Sequence, residues 1–98
     1  MKPSIREIHM SYTLITGASA GIGSVFAKQL AEQGHDLILS ARRKEKLDEL
    51  AKQLTQQYKI KVETLSADLA NAEGSKILAD SITEKGWKIS GLINNAGF

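Results

Sequence analysis

Cysteine is absent from this 98-residue chain. Disulfide scaffolds, thiolate chemistry and zinc sites built on Cys are therefore excluded. The two histidines, His9 and His35, stand far apart and in no metal-ligand spacing, so the sequence supports no metal site. A single proline leaves no Pro-rich linker. Neither sign of charge dominates: 13 basic and 11 acidic residues give +2, too mild a balance to point to nucleic acid or a membrane surface. No apolar run approaches the ~20 residues that span a bilayer. Residues 1–11 hold Lys2, Arg6, Glu7 and His9 without a continuous hydrophobic stretch. That argues against a secretory signal and makes the cytoplasm the expected location.

What remains is an ordinary globular composition, 42% hydrophobic and 24% charged. A chain this short is one domain or less and buries about 60–65% of its unfolded surface, enough for one modest core. Its apolar content can offset the entropy of ordering, so disorder is not expected. Short apolar runs alternate with helical patterns. Tyr12-Thr13-Leu14-Ile15-Thr16 reads as a buried strand ending at Gly17. Over residues 21–33, Ile22, Val25, Phe26 and Leu30 recur at helical spacing, and Gly34 stands where a C-cap glycine belongs. Leu37-Ile38-Leu39-Ser40-Ala41 is a second strand, apolar enough to be covered on both faces. Leu47, Leu50, Ala51, Leu54 and Tyr58 form a clear helical stripe. A third strand is expected over residues 61–67 and a helix over 72–85 with Ile77, Leu78 and Ile82 facing inward. A fourth strand is expected over residues 91–94.

This β-α-β-α-β-α-β order demands an α/β fold with a parallel sheet and helices on its faces. It is the layout of the first, mononucleotide-binding half of a doubly wound Rossmann fold. Residues 1–10 are expected to form an N-terminal extension, and residues 11–98 a partial nucleotide-binding domain truncated after its fourth strand. That fourth strand would be an uncovered edge, which raises the prospect of self-association.

The strongest local signal is Thr16-Gly17-Ala18-Ser19-Ala20-Gly21-Ile22-Gly23, between the first strand and first helix. Gly17 permits the sharp turn off the strand, Gly21 lets a ligand approach the backbone, and Gly23 lets the helix pack close to the sheet. The unpaired N–H groups at the start of that helix, with their partial positive charge, suit a pyrophosphate. The spacing is G-x-x-x-G-x-G, and no Lys-Ser/Thr pair follows, so this is not a Walker loop. Glycines alone would equally fit a ligand-free turn; the strand-loop-helix context favours the nucleotide.

These eight residues resemble the T-G-x-x-x-G-I-G fingerprint of the short-chain dehydrogenase/reductase family. Asn94-Asn95-Ala96-Gly97 resembles the family's N-N-A-G motif, and Asp68-Leu69 stands where the family has an Asp and an apolar residue after its third strand. The resemblance covers residues 11–98, the first part of a family member. It implies a nicotinamide dinucleotide cofactor and, for the complete form, hydride transfer between that cofactor and a carbonyl or alcohol. By this resemblance the cofactor would be met by Gly17, Ser19, Ala20, Gly21, Ile22 and Gly23, with Ser19 as a hydrogen-bonding wall. Asp68 would accept from the adenine amino group while the Leu69 amide meets a ring nitrogen. Asn95, Ala96 and Gly97 would lie along the ribose, and Asn94 would tie the central strands together. Taken alone, Asp68 fits a helix cap or turn equally well, and Asn-Asn-Ala-Gly a tight turn.

At the end of the second strand, about 20 residues beyond the glycines, such folds choose between cofactors: an acid binds the 2′-hydroxyl, whereas an Arg accommodates a 2′-phosphate. Here Ala41 is followed by Arg42 and Arg43, so no carboxylate repels a phosphate and guanidinium groups are at hand. NADP is favoured over NAD. The plainer alternative is a solvated basic helix start. The family's catalytic Tyr-x-x-x-Lys is not present: Tyr12 is followed four residues later by Thr16, and Tyr58 by Val62. No residue of this chain is assigned a catalytic role. Three readings stand: the NADP(H)-binding portion of a short-chain dehydrogenase/reductase, a non-catalytic dinucleotide-binding or interaction module that needs a partner chain, and a folded relic that binds nothing. The Ala-Arg-Arg segment and the last four residues are similar to relatives that reduce acyl-chain or steroid carbonyls.

Overall fold

The alternation of apolar runs and amphipathic stretches folds into strand–helix units. A computed structural model describes residues 11–19, 21–68 and 72–94. In chain order the elements are β1 (Ser11–Thr16), α1 (Gly21–Glu32), β2 (Leu37–Ala41), α2 (Lys44–Tyr58), β3 (Val62–Ser66), α3 (Ala72–Lys85) and β4 (Lys88–Asn94). Each helix returns the chain to the end where the previous strand began, so every strand pair is parallel. The strand order is β3-β2-β1-β4, the first four positions of the doubly wound arrangement. The expected α/β half-fold is what forms.

The core divides into two layers. On one face Ile15, Leu37, Leu39 and Ala41 pack against α1 and α2. On the other, Tyr12, Leu14 and Ile38 pack against Ala67 and against Leu78 of α3. β2 is buried along its whole length, as its unbroken apolar run requires. Helix α2 follows its pattern: Leu47, Leu50, Ala51 and Leu54 are buried, and Tyr58 packs at their end. Lys59 closes the helix in a left-handed conformation, its N–H donating to the Thr55 carbonyl. An exposed pair, Lys44 Nζ to Asp48 Oδ2 at 2.8 Å, lies beside a bond from Thr64 Oγ1 to Asp48 Oδ1 at 2.9 Å. Together, the lysine first, they hold the Asp48 carboxyl below the usual carboxylate range. The second of them links α2 to β3.

Two expectations are corrected, after a face of α1 that its spacing left open. The large apolar stripe of α1 does not face the sheet: Ile22, Val25 and Phe26 are 63%, 51% and 36% exposed. The buried face is Gly23, Ala27 and Ala31, four residues apart. Small side chains let the helix axis lie close to the sheet, which a face of Ile, Val and Phe would hold away; only Leu30 of the expected stripe packs partly against the core. In α3, Leu78 and Ile82 turn inward but Ile77, one position off their line, is 52% exposed. Strand β4 begins at Lys88 rather than at Gly91, and its pairing with β1 contains an irregularity: Tyr12 is matched to Ile89 but Thr13 to Gly91. Ser90 is the extra residue, and its Oγ donates to the Tyr12 carbonyl at 3.3 Å. The polar start and this bulge hide the strand's period from the sequence.

At the opposite end of the sheet from the glycine loop, Trp87 packs on Tyr12 with ring centroids 5.7 Å apart, and Lys85 Nζ lies 5.4 Å from the Trp87 centroid. Burial pushes the Tyr12 phenol above its ordinary pKa. No helix among the described residues is long and apolar enough to cross a membrane.

The orientation of α1 sets a test against α2. Leu54→Ala should cost about 2–5 kcal/mol in urea unfolding, because it opens a cavity in the closed layer. Phe26→Ala should cost less than about 1 kcal/mol, as a surface truncation. Equal losses at the two positions would mean that α1 presents its bulky stripe to the sheet.

Candidate cofactor site

In a parallel sheet the carboxyl ends of all strands share one edge, and ligands bind outside it. The register aligns Thr16 with both Ser40 and Asn94, and Ala41 with Ser66. The segments that leave these strands therefore emerge together. They are the glycine loop after β1, Arg42 and Arg43 after β2, and Asp68 after β3.

The loop departs β1 through Gly17 at φ 64°, a left-handed turn that suits glycine. The next N–H, from Ala18, donates to the Ser40 carbonyl at 3.1 Å, and the Ala18 side chain is buried. Ser19 is half-buried. Gly21 opens α1 at φ 61°, with open space where a side chain would stand. Ser24 Oγ donates back to the Gly21 carbonyl at 2.9 Å, a bond that leaves it a local structural role. Ile22 points to solvent, while Gly23 lies on the inner face of α1. Beside the loop, the buried Thr16 donates from Oγ1 to Asn94 Oδ1 at 3.0 Å, joining the ends of β1 and β4. Ala20, Leu69, Asn95, Ala96 and Gly97 lie outside the described residues.

Arg42 and Asp68 line one cleft of 410 Å³, together with Ser66, Ala67 and the start of α3. Arg43 stands apart from that lining as the extended N-cap of α2, with no side-chain cap bond. Motif reasoning names Arg42 and Asp68 separately and misses Ser66, Glu73, Gly74 and Ile77, which line the same cleft. Their only signal in the sequence is nearness to Asp68. Gly74 sits in the first turn of α3, buried, where a Cβ would collide with the Asp68 carbonyl. The missing side chain is what lets α3 start against the backbone of Asp68.

The chemistry of the cleft fits a nucleotide. A guanidinium at one wall can hold a phosphate, and a carboxylate at another can accept from an exocyclic amine. The adjoining helix start, opened by a glycine without a side chain, offers backbone donors to a diphosphate.

A model of the family described as short chain dehydrogenase matches residues 11–98. The chain belongs to that family. Among curated relatives, the very-long-chain 3-oxoacyl-CoA reductase of Vanderwaltozyma polyspora is 41% identical over 87 residues, covering 89% of this chain and 25% of its own. Among solved structures, a short-chain dehydrogenase from Sphingobium yanoikuyae in complex with NADPH is 43% identical with a TM-score of 0.80, over 90% of this chain and 34% of that one. The L-sorbose reductase of Gluconobacter frateurii, complexed with NADPH and L-sorbose, is 32% identical with a TM-score of 0.82, over 90% and 34%. The chain thus spans about a quarter to a third of the length of these relatives.

Gly74→Ala should destabilise the chain by about 1–3 kcal/mol, the cost of forcing a methyl into a closed contact. The urea midpoint measures it. An unchanged midpoint would show that α3 does not depend on that close approach.

Proposed function

We propose that this chain is the NADP(H)-binding part of a short-chain dehydrogenase whose complete form transfers hydride between the nicotinamide and a carbonyl or alcohol. The observation that carries the reading is Arg42 in one cleft with Asp68, with the buried Ala41 where an acid would repel a 2′-phosphate. The NADPH complexes of two relatives support it. The cofactor, when bound, supplies the hydride. Arg42 and Arg43 hold the 2′-phosphate, Asp68 and the Leu69 amide orient the adenine, and Gly17, Ser19, Ala20, Gly21, Ile22 and Gly23 meet the pyrophosphate and adjoining ribose. Asn95, Ala96 and Gly97 line the remaining ribose. Residues 11–98 form this unit, residues 1–10 precede it as an extension, and it works in the cytoplasm.

Calorimetric titration with NADPH and with NADH tests the reading. Saturable binding at least about tenfold tighter for NADPH is expected, and Arg42→Ala should remove most of that preference, the scale of one charge-assisted phosphate contact. Equal affinities, or no binding of either, would overturn it.

A second observation bears on self-association. Strand β4 is an edge of the sheet among the described residues, and its Ile89 and Leu92 are 38% and 61% exposed. Unpaired edges of this kind recruit further strands. We propose self-association through β4. Sedimentation should show a mass that rises with concentration, and Leu92→Lys should return the chain to a monomer. A wild-type chain that stays monomeric at high concentration would exclude it.

A further inference from the structure

The turn from β2 into α2 is held from the side by the end of β3. Ala67 N–H donates to the Ala41 carbonyl at 3.0 Å, continuing the ladder by one step. Beside it, Ser66 Oγ donates to the carbonyl of Arg42 itself at 3.0 Å. Two consecutive carbonyls are thus gripped by two consecutive residues, across 24 positions of sequence in the second case. Beyond Arg42 the chain turns at once into Arg43, the extended N-cap of α2, so the Arg42 peptide is the hinge between strand and helix.

We propose that Ser66 is a positioning residue for 2′-phosphate selection, acting through the main chain of Arg42. The inference rests on the reading of Arg42 as the phosphate-binding group. A long guanidinium discriminates only where its stem starts from a fixed point. Otherwise the freedom it loses on binding offsets its attraction to the phosphate. The cleft also holds two carboxylates, Asp68 and Glu73, which would compete with an anion for a loosely anchored guanidinium. Fixing the Arg42 carbonyl fixes the direction in which its side chain leaves the backbone. Ser66 occupies the same cleft but needs no contact with the ligand for this role. The hydroxyl is the group that Ser66 brings to the Arg42 carbonyl.

The test separates the phosphate from the rest of the nucleotide by titrating the full chain with 2′,5′-ADP and with 5′-ADP. Ser66→Ala should weaken 2′,5′-ADP about three- to tenfold, the scale of one hydrogen bond, and leave 5′-ADP within about twofold. Ser66→Thr, which keeps the hydroxyl, should restore the ratio. In an Arg42→Ala background, Ser66→Ala should change the ratio no further. Equal weakening of both ligands by Ser66→Ala would assign Ser66 a general structural role and overturn the proposal. So would an unchanged ratio in Ser66→Ala while Arg42→Ala collapses it. If Arg42→Ala itself leaves the ratio intact, or the unsubstituted chain binds neither ligand, the phosphate reading fails and the role of Ser66 falls with it.

Discussion

Everything else in this fold depends on the close approach of α1 to the centre of the sheet. Gly23, Ala27 and Ala31 form a face without bulk, and that face brings the helix down onto strands that are buried on both sides. The helix start must then sit directly above the end of β1, and the loop between them must turn sharply. The left-handed conformations at Gly17 and Gly21 follow from that constraint. A nucleotide diphosphate would use the same geometry from outside, since the backbone donors at the start of the helix face the strand ends. The packing of the helix and the exposure of its first backbone donors follow from one set of small residues.

A similar economy operates at the neighbouring strand ends. The Arg42 turn, the Asp68 segment and the start of α3 come close together at their backbones. Gly74 contributes by lacking a side chain, and Ser66 by a single hydroxyl. The cleft is therefore shaped by main-chain placement, and charge is added at its walls.

Much of this is legible in the sequence wherever a pattern is local. The α2 stripe, the unbroken apolar β2 and the glycine loop each carry their meaning within a few residues. Arg42 and Asp68 are readable because strand ends in a parallel sheet must meet at one edge. What stays hidden depends on distance through the chain. Hydrophobic spacing in α1 identifies a helix but not which face turns inward, because the sheet selects the small side chains and leaves Ile22, Val25 and Phe26 outside. Ile77 is misplaced by its spacing because it lies one step off a line set by Tyr12, Leu14 and Ile38. The Ser90 bulge, the Gly74 contact and the Ser66 bond all join residues that no local period connects.

Burial across the sheet is uneven, from β2 with every residue covered to β4 with most of its residues open to solvent. Opening β2 dismantles both layers, whereas β4 is held by its ladder to β1 and by Ile93 packed against the core. Amide protons of β2 can therefore exchange only through global unfolding.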